Sequence, residues 1–262
     1  MNDQVCPATD VSIPPERTLV MNDKVAERLA RHYNRKYISA SAGGDTIPLR
    51  RYPANRLEAS VKCAGRGRKA LEIGAGGGEL LRTLRPCYER WVATEISRPR
   101  LEALSTEFAN DDAVQIIEHN IEHQSLPFAD DYFDLILLID VLEHFVDPIS
   151  SLAELYRVMA EGGRLLIDTP NIAKWTRRIK LMCGYFPATA STDEGLIMYD
   201  HKTPTDLHDE GHLHYFTFRS LAAILKDRIG FSQVIYNGYG RLGLLSRLWP
   251  TLFSDTFVIA VK

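Results

Sequence analysis

The sequence predicts an α/β protein with a doubly wound parallel sheet, and three observations carry that expectation. Short apolar runs of strand length alternate with helix-like patterns over most of residues 70–262. The run Phe133 to Ile139 (F-D-L-I-L-L-I) is the most apolar in the chain, as a central strand covered on both faces requires. Ala70 to Ile73 is another apolar run, which breaks into glycines at 74, 76, 77 and 78 and resumes as a helical pattern at Glu79. A buried parallel strand that turns sharply into a helix reads in this way.

The elements follow in order. Residues 1–18 are polar, carry Pro7, Pro14 and Pro15, and are expected to form an arm. Val25, Leu29, His32, Tyr33 and Lys36 recur at helical steps, so a helix is expected from Val20 to about Ile38 with Asn22 as its cap. Ser39 to Pro53 reads as a loop and Pro53 to about Ala64 as a second helix, closed by the Gly65-Arg66-Gly67 turn. After the glycine loop come a helix from Glu79 to about Arg85, a strand at Trp91 to Thr94 and a helix from Arg98 to Ala109. A strand at Val114 to Glu118, a loop from Asn120 to Asp131 and the central strand Phe133 to Ile139 lead to a helix at Ser150 to Met159. Gly162-Gly163 is expected to turn the chain into a strand at Arg164 to Asp168. Residues 171–211 break the rhythm, and a connection of about 40 residues reads as a functional lid or insert. A helix from Ser220 to Arg228 and strands at Ser232 to Tyr236 and Thr256 to Val261 close the chain, the last two as an antiparallel edge hairpin.

Composition narrows the function. At 262 residues, with 45% hydrophobic and 25% charged side chains, the chain has an ordinary globular balance and can bury one substantial core. A net charge of −3 gives no general reason to expect nucleic-acid or membrane-surface binding. Cys6, Cys63, Cys87 and Cys183 lack zinc or redox spacing, which suits a reducing compartment. Residues 1–20 show no basic-then-apolar leader and no apolar run approaches ~20 residues, so a soluble, cytoplasmic protein is expected.

The glycine loop selects among ligands. Glycine permits backbone angles closed to other residues and lets a ligand lie against bare amides. A dinucleotide fingerprint needs a third glycine where Glu79 stands, and the chain has no G-K-S or G-K-T for a phosphate-binding loop. What remains is E-x-G-x-G-x-G from Glu72 through Gly74, Gly76 and Gly78. Glu95 ends the second strand, 21 residues after Gly74, where a carboxylate can accept from both hydroxyls of a ribose.

Two further stretches sit at strand ends: N-I-E-H-Q-S-L-P-F at 120–128 and I-D-V-L-E-H-F-V-D-P at 139–148. With the glycine loop and Glu95, in this order, they resemble the class I S-adenosylmethionine (SAM)-dependent methyltransferases, in particular the ubiquinone-biosynthesis-like and natural-product group. That group has a similar D-x-E-x-x-x-L-P-F, where this chain has Asn120 for the first Asp, and a similar V-L-E-H-x-x-D-P. The resemblance covers roughly residues 65–262. It implies a Rossmann-like seven-stranded sheet with its last strand antiparallel and a methyltransferase domain over 65–262; the residues before the first strand add an N-terminal arm and helical cap over 1–64, and 171–211 is expected as a lid or acceptor-binding insert. It also implies that SAM is the cofactor and S-adenosylhomocysteine (SAH) its product. The residues it assigns to that cofactor are Glu72, Gly74, Ala75, Gly76, Gly78, Glu95, Ile96, Asn120, Ile121, Asp140, Val141 and Leu142.

Transfer to a hydroxyl also needs a proton acceptor, and histidine is the usual one. His144 lies in the stretch after the central strand, where Glu143 and His144 face the pocket or cap the next helix. The late segment Asp209 to Phe218 supplies His212 and His214, and members of the family from sugar and natural-product pathways carry a similar H-L-H-F-F-T. Side chains at i and i+2 of an extended segment point opposite ways, so one of the two is expected in the pocket, and His212 is favoured. His201, His208, Asp209, Glu210, His212 and His214 could instead gather a divalent ion, although their spacing matches no ligand motif, and no metal is expected. Lys174, Arg177 and Arg178 either greet an acidic acceptor or form a solvated helix face. The expected activity is methyl transfer to a small polar acceptor, most simply a hydroxyl of a sugar, a sugar nucleotide or a secondary-metabolite intermediate. N- or C-methylation, a SAM-binding regulatory partner without turnover, and a dehydrogenase stay as alternatives. The expected partner is a small molecule, with no nucleic acid and no membrane, and a homodimer stays open.

Overall fold

The computed structural model of the chain describes residues 31, 34, 47, 49–189 and 212–262. Seven strands form one sheet in the order β3-β2-β1-β4-β5-β7-β6. They are β1 (Gly67–Ile73), β2 (Tyr88–Glu95), β3 (Val114–Glu118), β4 (Phe133–Ile139), β5 (Met159–Thr169), β6 (Gln233–Asn237) and β7 (Thr256–Val261). β1 pairs in parallel with β2 and β4, β2 with β3, and β4 with β5, while β7 runs antiparallel to both β5 and β6. The doubly wound order with a single reversed strand is the one expected.

The central strands are apolar on both faces because both faces are covered. Leu71, Ile73, Ile136 and Leu138 pack with Leu152, Leu155 and Leu221 in one core. Ala70, Leu135 and Leu137 point the other way, against Leu80, Leu81, Leu84 and Phe257. Alternate residues of one strand thus feed two cores. Leu135, Ile136, Leu137 and Leu138 are all 0% exposed, and truncating any of them to Ala should cost about 2–5 kcal/mol. Among the described residues no helix is long and apolar enough to cross a membrane.

Several elements differ from expectation. The helix before β5 spans Pro148–Val158, and its cap is Asp147, whose side chain accepts from the Ser150 amide at 3.1 Å. Glu143 and His144 therefore cap nothing there. Gly162-Gly163 does not separate helix from strand. β5 starts at Met159 opposite Phe133, and the glycines form an irregularity inside it, after which Leu135 pairs with Arg164. Gly162 has φ +71, and a Cβ on Gly163 would sit 2.6 Å from the Ala160 carbonyl. The helix Phe218–Ala223 is capped by a Thr217–Ser220 box and continues as a π turn over Ile224–Ile229. β6 and β7 do pair antiparallel, but not as a tight hairpin, because short helices at Leu244–Leu248 and Pro250–Phe253 lie between them. Of the helix expected over 20–38, only Arg31 and Asn34 are described, both helical; the rest, and most of the insert to residue 211, lie outside the described residues.

The helix Arg56–Ala64 before β1 is held at both ends. The Asn55 side chain accepts from the Glu58 amide at 2.9 Å, and the Arg164 guanidinium donates to the Cys63 and Ala64 carbonyls. Fixed in this way, its first turn carries Arg56 to the carboxyl edge of the sheet, where Arg56 Nη2 meets Asp140 Oδ2 at 2.8 Å.

Candidate functional site

A cleft of about 510 Å³ opens along the carboxyl ends of the parallel strands, where ligands of open α/β sheets bind. Its size is within the usual range for small-molecule sites.

The glycine loop forms one wall. Gly74 and Gly76 have φ +69 and +58, left-handed values that an L side chain adopts only at a cost. A Cβ on Gly74 would stand 2.8 Å from Val141 Cγ2, so the loops after β1 and β4 approach this closely without strain because that atom is missing. The Ala75 amide donates to the Thr94 carbonyl at 2.9 Å and hooks the loop over β2. Gly78 has another role: it caps the helix Glu79–Leu84 and does not line the cleft, and a Cβ there would lie 2.5 Å from Leu104 Cδ2. Its lack of a side chain serves helix packing.

Glu95 is 6% exposed at the end of β2. Its Oε1 accepts from the Ile96 and Ser97 amides at 2.8 Å each, and its Oε2 from the Gly76 amide at 2.9 Å. A carboxylate has about four acceptor sites, so roughly one is left for a ligand hydroxyl. The residue read as a ligand contact thus also ties the glycine loop to β2. Asn120 behaves similarly: its Oδ1 accepts from the Glu122 amide at 3.0 Å and folds the loop after β3.

The remaining expected residues divide. Glu72, Ala75, Ile96, Ile121, Asp140, Val141, His144 and His212 line the cleft, while Leu142 and His214 do not. Leu142 is 0% exposed in the core, an apolar side chain pulled away from a polar cleft. Asp140 has φ +55 without being glycine, a strained conformation of the kind that collects at functional sites. His212 and His214 part as an extended segment dictates. His212 is 6% exposed, while His214 Nε2 faces the Val146 carbonyl at 3.4 Å. The Glu143 carbonyl accepts from the Leu213 and His214 amides at 2.8 and 3.2 Å and anchors the segment against the turn after β4.

This anchoring brings three donor side chains together. The His144 and His212 rings meet edge to face, 4.8 Å between centroids, and His212 Nδ1 lies 2.7 Å from Thr189 Oγ1. One ligand atom from each of Glu143, His144 and His212 falls within 4.8 Å of the others, a set that could hold a divalent ion. His212 alone among the expected late donors belongs to it: His214 turns away, and His201, His208, Asp209 and Glu210 lie outside the described residues.

The acids of the cleft are buried, and burial sets their protonation. Glu72 is pushed up to about 8, chiefly by desolvation. Glu143 is also pushed to about 8, by desolvation and then by the Asp140 charge. Asp168, 1% exposed at the end of β5, stands well above its usual range through burial and then the charges of Asp140 and Asp255. Tyr239 donates to Asp168 Oδ2 at 3.0 Å; burial raises the phenol well above its usual range, so it stays a donor. Asp255 goes the other way. Desolvation opposes its charge, but Lys174 at 2.9 Å and Arg177 at 2.7 Å outweigh that and lower its pKa. Lys174 and Arg177 therefore form neither a free anion site nor a solvated face, and the Arg178 guanidinium bonds the Ala173 carbonyl.

Arg56, Asp168, Tyr239, Thr189 and Asp255 line the cleft without having been singled out by sequence. Asp168 alone had a readable signal, an acid at the carboxyl end of a strand, as Glu95 and Asp140 are.

Comparison with known proteins bears on the same region. A family described as Methyltransferase domain matches residues 46–234. A demethylmenaquinone methyltransferase of Clavibacter sepedonicus is 32% identical over 158 residues, 60% of each chain. A ubiquinone biosynthesis O-methyltransferase of Alkalilimnicola ehrlichii is 28% identical over 136 residues, 49% of this chain and 53% of that one. The chain thus aligns with between half and two thirds of these relatives' lengths. The crystal structure of a SAM-dependent methyltransferase of Thermotoga maritima shares the fold, with a TM-score of 0.53 and 18% identity over 90% of this chain and 97% of that one.

Proposed function

This chain belongs to the class I SAM-dependent methyltransferase family, and from that premise we propose that it transfers a methyl group to a hydroxyl of a small polar acceptor. The residues present fit the cofactor: two left-handed glycines leave bare backbone along the cleft, Glu95 accepts three backbone N–H bonds of about four it can take, and Asn120 lines the cleft just past the end of β3. SAM supplies a methyl group already activated by its sulfonium. The tasks left to the chain are to align the acceptor, exclude water and take a proton. The glycine loop, Glu95, Ile96 and Asn120 would hold the nucleoside end, and Asp140 and Val141 the amino-acid end.

The observation that carries the hydroxyl reading is the placement of His212 in this cleft, next to His144 and bonded through Nδ1 to Thr189. In the tautomer whose Nδ1–H donates to Thr189, Nε2 is the nitrogen that would receive the acceptor proton. Sugars, sugar nucleotides and secondary-metabolite intermediates are the acceptor classes we favour, and the relatives' names add quinols to the panel. The test is SAM turnover against such a panel at fixed protein concentration, with products read by mass spectrometry. Methylated hydroxyls support the reading, whereas methylation confined to carbon or nitrogen overturns it.

A second reading rests on the Glu143, His144 and His212 cluster. A divalent ion there would lower the hydroxyl's pKa and replace histidine as the activator. Turnover lost in EDTA and restored by Mg²⁺ or Mn²⁺ would favour it; turnover indifferent to EDTA leaves the imidazole as base.

A further inference from the structure

The acceptor side of the cleft holds a carboxyl group that the proposed chemistry does not use. Asp168 ends β5, and in register it stands opposite Ile139 of β4, with the Asp140 amide donating to its carbonyl at 3.0 Å. Adjacent strands lie ~4.8 Å apart, so the end of β5 is roughly 14 Å from β2 and Glu95, beyond the glycine loop. A ligand with its nucleoside end at Glu95 thus leaves Asp168 to whatever lies past the transferred methyl.

The Asp168 side chain is 1% exposed and lines the cleft. Tyr239 satisfies Oδ2, while Oδ1 is buried without a hydrogen-bond partner. A buried polar atom left unpaired is costly, and native proteins seldom tolerate one without a use. The surroundings say which use. Asp140 and Asp255 are the carboxylates that bear on Asp168 electrostatically. The cations nearby are committed: Arg56 to Asp140, and Lys174 and Arg177 to Asp255. Burial and the charges of Asp140 and Asp255 hold Asp168 toward its neutral form, and Arg56 offsets them only from within its ion pair with Asp140, so among the described residues no uncommitted cation favours the ionised form and a ligand's positive charge would supply that.

We infer that Asp168, backed by the Tyr239 hydroxyl, anchors an ammonium group of the acceptor. This rests on the methyltransferase reading and deepens it. An amine held on a carboxylate carries its proton and has no free lone pair, so it is the handle of the acceptor and not the atom methylated. The acceptor class becomes an amino alcohol or amino sugar whose hydroxyl meets His212.

The experiment uses matched probes, D-glucosamine against D-glucose and tyramine against its alcohol analogue tyrosol, titrated into the SAH-loaded full chain and followed by ligand-observed NMR. The amine of at least one pair should bind about 10-fold or more tightly than its alcohol, the weight of one charge-assisted hydrogen bond. Asp168→Asn should abolish that preference with SAH affinity unchanged, and Tyr239→Phe should weaken it. Equal binding of amine and alcohol, a preference that survives Asp168→Asn, or no binding of any probe to SAH-loaded protein would overturn the inference. Tyr239→Phe keeps the test decisive if Asp168→Asn does not fold. Failure of SAH itself to bind would instead overturn the methyltransferase reading beneath it.

Discussion

Replacing Gly74 by alanine tests how the sheet builds its ligand edge. The added Cβ meets two penalties that the structure lets us separate. At φ +69 an alanine occupies the left-handed region, which costs about 1–2 kcal/mol. The same Cβ lies 2.8 Å from Val141 Cγ2, and a β-branched side chain has few rotamers to retreat into, so relief costs about 0.5–1.5 kcal/mol more. The sum, about 1.5–3.5 kcal/mol, should lower the melting temperature by roughly 5–10 °C for a domain of this size. The shifted loop should also weaken SAH binding about 10-fold or more, because the Gly76 amide then loses its register with Glu95. Val141→Ala removes the clashing methyl but not the backbone strain. In a double-mutant cycle read by thermal melting and calorimetric SAH titration, the two sites should couple by about 0.5–1.5 kcal/mol, the clash alone. A Gly74→Ala protein that melts within a degree of wild type and binds SAH equally well would refute the reasoning.

Other perturbations test the rest of the cleft. Glu95→Gln removes the charge from three backbone N–H bonds, so it should lower stability by about 2–4 kcal/mol as well as weakening SAM and SAH; denaturant unfolding beside calorimetry checks both, and a folded variant of unchanged stability would count against the assignment. His212→Ala should slow methyl transfer ~10²-fold or more with SAH affinity intact, while His214→Ala, outside the cleft, should leave the rate within a few-fold; equal loss of rate in both would remove His212 from the role of base. Glu72 has its pKa raised from 4.5 to about 8 by burial, so the folded state holds a proton that the unfolded state releases. Its stabilising share is complete below pH ~4.5 and is lost as the pH rises to ~8, by up to ~1.4 kcal/mol per pH unit. Glu72→Gln should therefore flatten the fall in melting temperature between pH 5 and 8; parallel curves for variant and wild type would show that Glu72 does not titrate there.

The two halves of the cleft differ in how they are written into the chain. The half proposed for the cofactor is local: Gly74 and Gly76 lie in one turn, and Glu95 ends the next strand, so spacing along the sequence carries the geometry. The central strand was legible for a related reason, since seven residues from Phe133 to Ile139 buried on two faces must be nearly all apolar. Gly162-Gly163 misled because glycine pairs signal turns, whereas here the β4 ladder holds the strand together on both sides of them. The helices Leu244–Leu248 and Pro250–Phe253 are too short for any period to register. On the acceptor side no local spacing exists. Tyr239 reaches Asp168 across 71 residues, and Asp255 is 81 residues from Lys174, so these pairs exist only once β7 has inserted beside β5. The asymmetry follows from what each half recognises. A cofactor gripped largely through backbone needs the same loop whatever is methylated, while acceptor choice rests on side chains from separate elements. On the reading proposed above, the acceptor would be chosen by the charges at the end of β5, where Asp168 Oδ1 is buried without a hydrogen-bond partner.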